Sequence, residues 1–220
     1  MKFSLGIKLN KVAKYLILSD LIFYTGWGLI SPVFAIFIVN LIKGGNAGVV
    51  GIAAAINLIV RSLLRVPFGM LADEDGKKKA YNCMLYGLLV SAFVPIGYIF
   101  ARLPWHIYVL QGLLGTTMAM TTAGWTGIFS RYMDKGKEST EWGVDAVAVG
   151  VGPGIAAVIG GFAVTYFSFN YVFIAVTLVG LIGVLVLLVV KKDILNRPII
   201  SQGRLFTHRE VRRLKKRMHH

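Results

Sequence analysis

Long apolar runs separated by short polar breaks make up most of this 220-residue chain. Six runs are long enough to cross a bilayer, because a membrane-spanning helix needs about 20 apolar residues. They cover residues 15–39, 48–71, 80–100, 104–130, 144–167 and 170–190. The breaks carry Gly, Asn, Pro or charged residues, which are typical of turns and helix ends. The pattern predicts an all-α membrane protein with six transmembrane helices.

The first apolar run follows a lysine-rich start and continues for about 25 residues, beyond the roughly 7–15 of a signal-peptide core. We interpret it as a membrane helix that also targets the chain. The chain then divides into an N-terminal segment (1–14), a six-helix transmembrane domain (15–190) and a basic tail (191–220). The tail is either solvated or a short helix on anionic headgroups. His219 and His220 are either native residues or the remnant of a tag.

The positive charges predict the orientation in the membrane. The chain has 24 Lys and Arg residues against 10 Asp and Glu, a formal net charge of +14. Twenty of the 24 precede the first run, follow an even-numbered run, or lie in the tail. Lys43 and Arg102 alone occupy the other side, and Arg61 and Arg65 lie inside the second run. Because cytoplasmic loops are rich in Lys and Arg, both termini are predicted to be cytoplasmic, in the cell membrane.

Several classes of protein do not fit this pattern. A nucleic-acid-binding protein would carry its basic residues on a soluble fold, whereas here they flank apolar runs, so the predicted surface partner is the lipid bilayer. One cysteine and four scattered histidines predict neither a disulfide nor a metal site, and we expect no cofactor. No membrane-embedded nucleophile with a base is evident, so an enzyme is not expected.

Polar residues form stripes along four of the six predicted helices. A charged residue at membrane depth costs about 2.5–3.5 kcal/mol, so such residues should face protein or water. Helices one, two, four and five are therefore predicted to surround a polar centre, with the more apolar helices three and six facing lipid. The predicted cavity residues are Tyr24, Trp27, Asn57, Arg61, Gln111, Thr122 and Trp125.

The charged members of these stripes have more than one possible role. Arg61 is expected either to form a structural salt bridge with Asp20 or Asp145 or to attract an anionic group. Asp20 and Asp145 are the predicted proton- or ion-coupling residues, because burial favours the neutral form of a carboxyl group. Asp20 is alternatively a plain charge at the cytoplasmic end of its helix. The threonines of helix four are alternatively bonded to their own backbone.

Small residues dominate the fifth predicted helix. Such stripes usually indicate close helix packing. The predicted packing residues are Gly150, Gly152, Pro153, Gly154, Gly160 and Gly161.

The loop between the second and third runs contains the pattern G-x-L-x-D-x-x-G-K-K. It resembles the signature loop of the major facilitator superfamily, which lies at the same place on the cytoplasmic side. The resemblance implies a cytoplasmic gate motif at Gly69, Asp73, Gly76, Lys77 and Lys78. The segment 149–161 resembles the Gly- and Pro-rich helix five of the family's exporters, and 167–173 resembles the usual entry to helix six.

Two positions depart from the family pattern. Glu74 stands where a basic residue is usual, and Tyr108 stands where proton-linked exporters often carry Arg.

The family normally has twelve helices in two similar halves, and this chain supplies one half. The resemblance therefore implies a half-size transporter of a small solute that works by alternating access as a parallel homodimer. Asp73 of one copy would latch against helix five of its partner. The alternatives are a non-transporting assembly or scaffold protein, and a half that pairs with a different chain.

Overall fold

The computed structural model describes residues 9–74 and 77–196, and these contain helices and no strand. The helices are α1 (Lys11–Ile30), α2 (Phe34–Leu41), α3 (Ala47–Glu74), α4 (Lys77–Phe100), α5 (Pro104–Tyr132), α6 (Glu138–Tyr166) and α7 (Phe169–Asn196). Helices α1 and α2 together form the first span, and each later helix covers one predicted run. The prediction of an all-α protein with six membrane-length helical segments is confirmed.

Five of these spans are long and apolar enough to cross a bilayer by composition alone. The sixth, α5, has 29 residues and many polar side chains. At 1.5 Å per residue it extends about 43 Å, more than the roughly 30 Å of the hydrocarbon core. Its polar residues therefore lower its mean hydropathy without making it too short to cross.

The first span is interrupted, which the apolar pattern does not predict. Helix α1 ends at Ile30, Ser31 caps it by donating its backbone N–H to the Trp27 carbonyl (3.0 Å), and α2 begins at Phe34. Pro32 lies in this break. Proline has no backbone N–H and its ring clashes with the carbonyl four residues earlier, so it favours a helix break here.

The packing partners place the six spans on an arc. Helix α3 packs on α5, α5 on α4, α4 on α7, α7 on α1, and α1 on α6. Helices α1 and α5 touch only lightly, and α3 and α6 form no packed pair within the described ranges. The two ends of the arc, α3 and α6, therefore flank a groove between α1 and α5.

Polar contacts bring the start of α1 and the end of α7 to one end of the bundle. Lys11 Nζ lies 2.8 Å from Asp193 Oδ2. The Tyr132 hydroxyl, at the end of α5, donates to the Ile194 carbonyl at 2.7 Å. We call this end, which also holds Lys77 and the α3–α4 connection, the basic end. An even number of spans requires the first helix to begin, and the last helix to end, on the same side of the bundle. The contact between Lys11 and Asp193 shows that α1 and α7 do so.

Helices α4 and α7 are the third and sixth spans, which were expected to face lipid, but each also has a buried face. Each buries one face inside the bundle, and α4 buries large side chains including Tyr81, Met84 and Tyr98. Their other faces are exposed, as at Phe93 and Leu185. An apolar side chain suits lipid and protein equally, so composition did not distinguish the two faces.

The glycines of α6 divide between two faces. A Cβ atom at Gly152 would lie 2.6 Å from Leu21 Cδ1, and one at Gly160 would lie 2.7 Å from the Leu29 Cα. Pro153 faces Gly28 of α1, where a Cβ would lie 2.6 Å from the Pro153 carbonyl oxygen. These three positions of α6 therefore bring it close to α1.

The other three predicted packing glycines lie outside this contact with α1. A Cβ atom at any of them would meet no described atom within 4 Å: Gly150, Gly154 and Gly161. They pack against nothing within the described part of this chain.

Candidate functional site

Two polar cavities lie in the groove between α3 and α6. The first, which we call the Asp20 cavity, has a volume of about 320 Å³ and lies nearer the basic end. Helices α1, α3, α5 and α6 line it through Asp20, Tyr24, Arg65, Thr121, Thr122, Trp125, Thr126, Trp142, Asp145 and Val149. It combines two carboxylates, one guanidinium and two indole rings on helices long enough to span a membrane.

The second cavity, which we call the Arg61 cavity, has a volume of about 310 Å³. Its lining residues are Tyr24, Trp27, Ile30, Ser31, Phe34, Asn57, Arg61, Gln111, Leu114 and Met118. Tyr24 lines both cavities, so they adjoin at this side chain. Helices α4 and α7 contribute no residue to either lining.

The structure brings all seven predicted cavity residues to one or other cavity. Tyr24, Trp27, Asn57, Arg61 and Gln111 line the Arg61 cavity. Thr122 and Trp125 line the Asp20 cavity, together with both predicted coupling carboxylates. The lining also includes residues outside the predicted set, most notably Arg65 and Trp142.

Sequence spacing offered a signal for these two residues. Arg65 lies one turn after Arg61 on α3, on the stripe that begins at Asn57. Trp142 lies three residues before Asp145 on α6, which is also neighbouring spacing on a helix surface. The remaining apolar lining residues carry no such signal.

Arg61 does not form either of the structural salt bridges considered from the sequence. Within the described ranges the ion pairs are Lys11–Asp193, Lys79–Glu74, Arg131–Asp73 and Lys137–Asp134. Arg61 instead lies beside Tyr24, whose hydroxyl also interacts electrostatically with Asp20 and Asp145. The guanidinium of Arg61 therefore forms no ion pair with a carboxylate among the described residues, and no carboxylate lines its cavity.

Hydrogen bonds hold the walls of both cavities. The Asn57 side-chain amide donates to the Gln111 backbone carbonyl at 3.3 Å and ties α3 to α5. The Thr122 hydroxyl donates to the Met118 carbonyl at 2.7 Å. Thr126 donates to the Thr122 carbonyl at 2.8 Å. The threonines thus use their protons within α5 and present only lone pairs to a solute.

Two buried polar atoms beside the Asp20 cavity have no hydrogen-bond partner among the described residues. They are Trp125 Nε1, a donor, and Asp145 Oδ1, an acceptor. An unpaired buried polar group is costly, typically about 1–3 kcal/mol. A solute, water or proton in this cavity would therefore find a donor and an acceptor already in place.

The α3–α4 connection is tied to the end of α5. Asp73 Oδ1 lies 3.4 Å from Arg131 Nη2, and Lys77 Nζ lies 5.5 Å from the centre of the Tyr132 ring. Lys78 is exposed, and a Cβ atom added at Gly69 would meet no described atom within 4 Å. Gly76 of the predicted gate motif lies outside the described residues.

The departure at Glu74 has a local partner: Glu74 Oε2 lies 2.7 Å from Lys79 Nζ. An acid at this position is therefore neutralised within the connection itself.

Apolar membrane-length helices that surround charged cavities define a multi-pass membrane protein with a polar interior. Comparisons with known proteins identify its family. The sequence profile of the Major Facilitator Superfamily matches residues 16–216. The chain belongs to this superfamily of membrane transporters.

Two similar proteins illustrate the relationship. A probable nitrate transporter, NarT of Staphylococcus haemolyticus (strain JCSC1435), is 31% identical over 150 residues, which cover 65% of this chain and 37% of that protein. An in meso crystal structure of the POT family transporter PepTSo is similar in fold, with a TM-score of 0.67 and 13% identity. That similarity covers 90% of this chain and 40% of PepTSo. The chain thus spans well under half the length of either protein.

Proposed function

We propose that this protein transports a small anion across the cell membrane by alternating access, and that two parallel copies form the working unit. The observation that supports this proposal most directly is the pair of charged cavities among apolar helices. Charged side chains at membrane depth are costly and usually mark a solute or ion pathway. A scaffold protein would need the packing glycines but no such cavities.

The side chains of the Arg61 cavity suit an anionic solute. Its lining has one formally charged group, Arg61, and no carboxylate. The amide groups of Asn57 and Gln111 and the indole of Trp27 surround this charge. A guanidinium presents several N–H donors in a plane, which matches planar oxyanions. The name of the similar NarT protein makes nitrate the natural first probe.

A second six-helix unit would complete the site. The groove-flanking helices have exposed apolar faces, represented by Leu63 and Met70 of α3 and by Val151 and Val158 of α6. The similar proteins continue well beyond the length that this chain matches. Because the two halves of the family are parallel repeats, a two-fold axis along the membrane normal would relate two copies in the same way.

Both termini would then be cytoplasmic, as the distribution of Lys and Arg predicts. The basic end would form the cytoplasmic gate. Asp73 contacts Arg131 while its side chain remains 77% exposed, so it is free to approach helix α6 of the partner. Making and breaking this contact as the copies rock would latch and release the inward-facing state.

Nitrate counterflow in proteoliposomes tests the transport proposal. Labelled nitrate should accumulate transiently in vesicles loaded with unlabelled nitrate. Arg61→Gln should reduce this exchange at least tenfold, because it removes the cavity's cation. Arg102→Gln, an arginine outside the cavities, is the matched control and should exchange normally. Absence of exchange in the wild-type protein, or equal exchange in both variants, would contradict the proposal.

Cysteine cross-linking tests the arrangement of the copies. Leu63 on α3 and Val151 on α6 are 70% and 55% exposed and lie at similar distances from the basic end. In a background with Cys83 replaced by Ser, cysteines at Leu63 and Val151 should cross-link into a dimer in the membrane. A cysteine at Leu185, exposed on the opposite side of the bundle, should not.

The mass of the purified complex separates the remaining possibilities. A homodimer mass with the cross-link supports two copies of this chain. A complex with a different chain would instead support the alternative of a heteromeric half. A monomer without transport would favour the non-transporting scaffold.

A further inference from the structure

Helices α6 and α7 are consecutive in the chain, yet they touch only lightly. Each of them packs extensively on α1 instead. A space therefore remains between α6 and α7, with α1 behind it. We call this space, which has a volume of about 540 Å³, the α6–α7 crevice.

The α6 wall of this crevice is apolar and extends through about half of a bilayer. It consists of Ile159, Ala163 and Phe167, which are spaced four residues apart and therefore lie along one side of the helix. Eight residues at 1.5 Å each extend about 12 Å. One leaflet contributes half of the roughly 30 Å hydrocarbon core, or about 15 Å. The crevice therefore has nearly the length of the hydrocarbon in one leaflet.

The α7 wall shows where the crevice meets the membrane surface. It consists of Tyr171, Val172 and Ala175. Tyr171 is exposed and lies in the first turn of α7, at the end of the bundle opposite the basic end. Tyrosine is enriched at membrane interfaces, where its ring contacts hydrocarbon and its hydroxyl contacts headgroups. The mouth of the crevice therefore lies at headgroup level.

The crevice and the two polar cavities lie on opposite sides of α1. Leu29 of α1 lines the crevice, and Asp20 lines the Asp20 cavity. These residues are nine apart, which is two and a half turns at 3.6 residues per turn, so their side chains point in opposite directions. A second copy placed across the groove would therefore leave the crevice facing lipid.

Neither water nor a charged group suits the crevice. Water needs two to four polar partners, and the lining side chains offer a single hydroxyl, that of Tyr171. The sequence has no charged residue from 146 to 190, so a charged occupant would find no ion-pair partner on these two walls. An empty crevice would forfeit dispersion contacts along both walls. A hydrocarbon chain restores those contacts.

The volume distinguishes a lipid chain from a helix of another protein. A helix with its side chains is at least about 10 Å wide, so a 12 Å length of it occupies about 900 Å³. This exceeds the 540 Å³ of the crevice. A single acyl chain is much narrower than a helix and enters without separating α6 from α7.

We propose that the α6–α7 crevice is a binding site for one phospholipid of the leaflet opposite the basic end. One acyl chain lies between α6 and α7 against Leu29, and the headgroup lies beside Tyr171. The chain links two helices that share few contacts of their own. The fit of the acyl chain, rather than the charge of the headgroup, determines binding. This inference does not depend on the proposed anion transport.

Native mass spectrometry of the full chain, released from detergent micelles, measures retained lipid directly. The probes are phosphatidylcholine and phosphatidylglycerol with the same acyl chains. One phospholipid should remain bound to each chain, and the two lipids should bind with affinities within about threefold of each other. Basic residues at the other end of the bundle would instead favour the anionic phosphatidylglycerol.

Filling the crevice should remove the bound lipid. Ala175 is half-buried in the lining, and Ala175→Phe places a ring where the acyl chain lies. Phosphatidylcholine binding should weaken at least tenfold. Leu185→Phe places the same ring at an exposed position of α7 outside the lining and should bind the lipid normally. Circular dichroism checks that both variants are folded.

A smaller substitution keeps the test valid if Ala175→Phe does not fold. In a background with Cys83→Ser, Ala175→Cys adds little volume and reacts with an apolar maleimide. Saturating phosphatidylcholine should slow this reaction at least fivefold. The reaction of Leu185→Cys should not be slowed.

Several results would overturn the inference. Unchanged lipid binding in folded Ala175→Phe, or labelling of Ala175→Cys that phosphatidylcholine does not slow, would exclude an acyl chain from the crevice. Equal loss of lipid in Leu185→Phe would indicate a non-specific lipid coat. A preference for phosphatidylglycerol beyond threefold would indicate binding through the headgroup. Protection of Ala175→Cys by a free fatty acid, but not by phosphatidylcholine, would exclude a phospholipid.

Discussion

Adjacent glycines on α6 provide a test of how closely α1 and α6 pack. Replacing Gly160 with Ala would place a Cβ atom 2.7 Å from both the Cα and the carbonyl carbon of Leu29 on α1. Replacing Gly161 with Ala would place the new atom where no described atom lies within 4 Å. The two substitutions are chemically identical and differ only in what the methyl group meets.

The expected difference follows from the close contact. Both variants gain the same helix propensity, about 0.8–1.0 kcal/mol for Ala over Gly, so this contribution cancels between them. Overpacking at a tight contact costs typically about 1–3 kcal/mol. Backbone atoms of α1 are the obstacle at Gly160, so a side-chain rotation does not relieve it. Gly160→Ala should therefore be less stable than Gly161→Ala by about 1–3 kcal/mol.

Reversible unfolding in mixed micelles, followed by far-ultraviolet circular dichroism, measures this difference. The protein concentration is kept low enough that the mass corresponds to a monomer, so that a partner does not affect Gly161. A gap of about 1–3 kcal/mol corresponds to roughly a 5- to 150-fold change in the folded-to-unfolded ratio. Equal stabilities, or a less stable Gly161→Ala, would refute the conclusion that only Gly160 lies in the close contact with α1.

Three further substitutions test single contacts. Tyr81→Phe removes the hydroxyl that donates to the buried Leu187 carbonyl at 3.1 Å and should lower the free energy of unfolding by about 0.5–1.5 kcal/mol, by the same assay. Asp193→Asn breaks the partly exposed pair with Lys11 and should cost less than about 1 kcal/mol, a loss that disappears in high salt. Asp73→Asn should slow nitrate counterflow by less than tenfold, because its contact is exposed; an unchanged rate would contradict the latch.

The number and approximate positions of the spans were predictable because a bilayer leaves few options, although some helix ends lie up to six residues from the predicted bounds. Backbone polar groups in lipid must bond within the same segment, so each long apolar run becomes a helix. The break at Pro32 was not predictable from the residue type. Pro67, Pro95 and Pro153 lie inside continuous helices. Residue type alone therefore does not distinguish Pro32 from the prolines that lie within helices.

The polar part of the candidate site was more predictable than its apolar part. Charged and amide side chains are costly in lipid, so the stripe through Asn57 and Arg61 indicates the inward face of α3. Val149 and Leu114 line the cavities too, but on apolar helices such residues carry no directional signal. For the same reason the sequence did not separate Gly160 from Gly161.

The order of the arc also affects how the chain is assembled at the ribosome. Helix α1 is made first, yet its packing partners α6 and α7 are made last. Until those two helices leave the translocon, Asp20 lacks the wall that α6 later provides. The newly inserted first helix must therefore keep this carboxyl group near water or hold it by other means. Chain termination before α6 would leave a fragment in which Asp20 never acquires this wall.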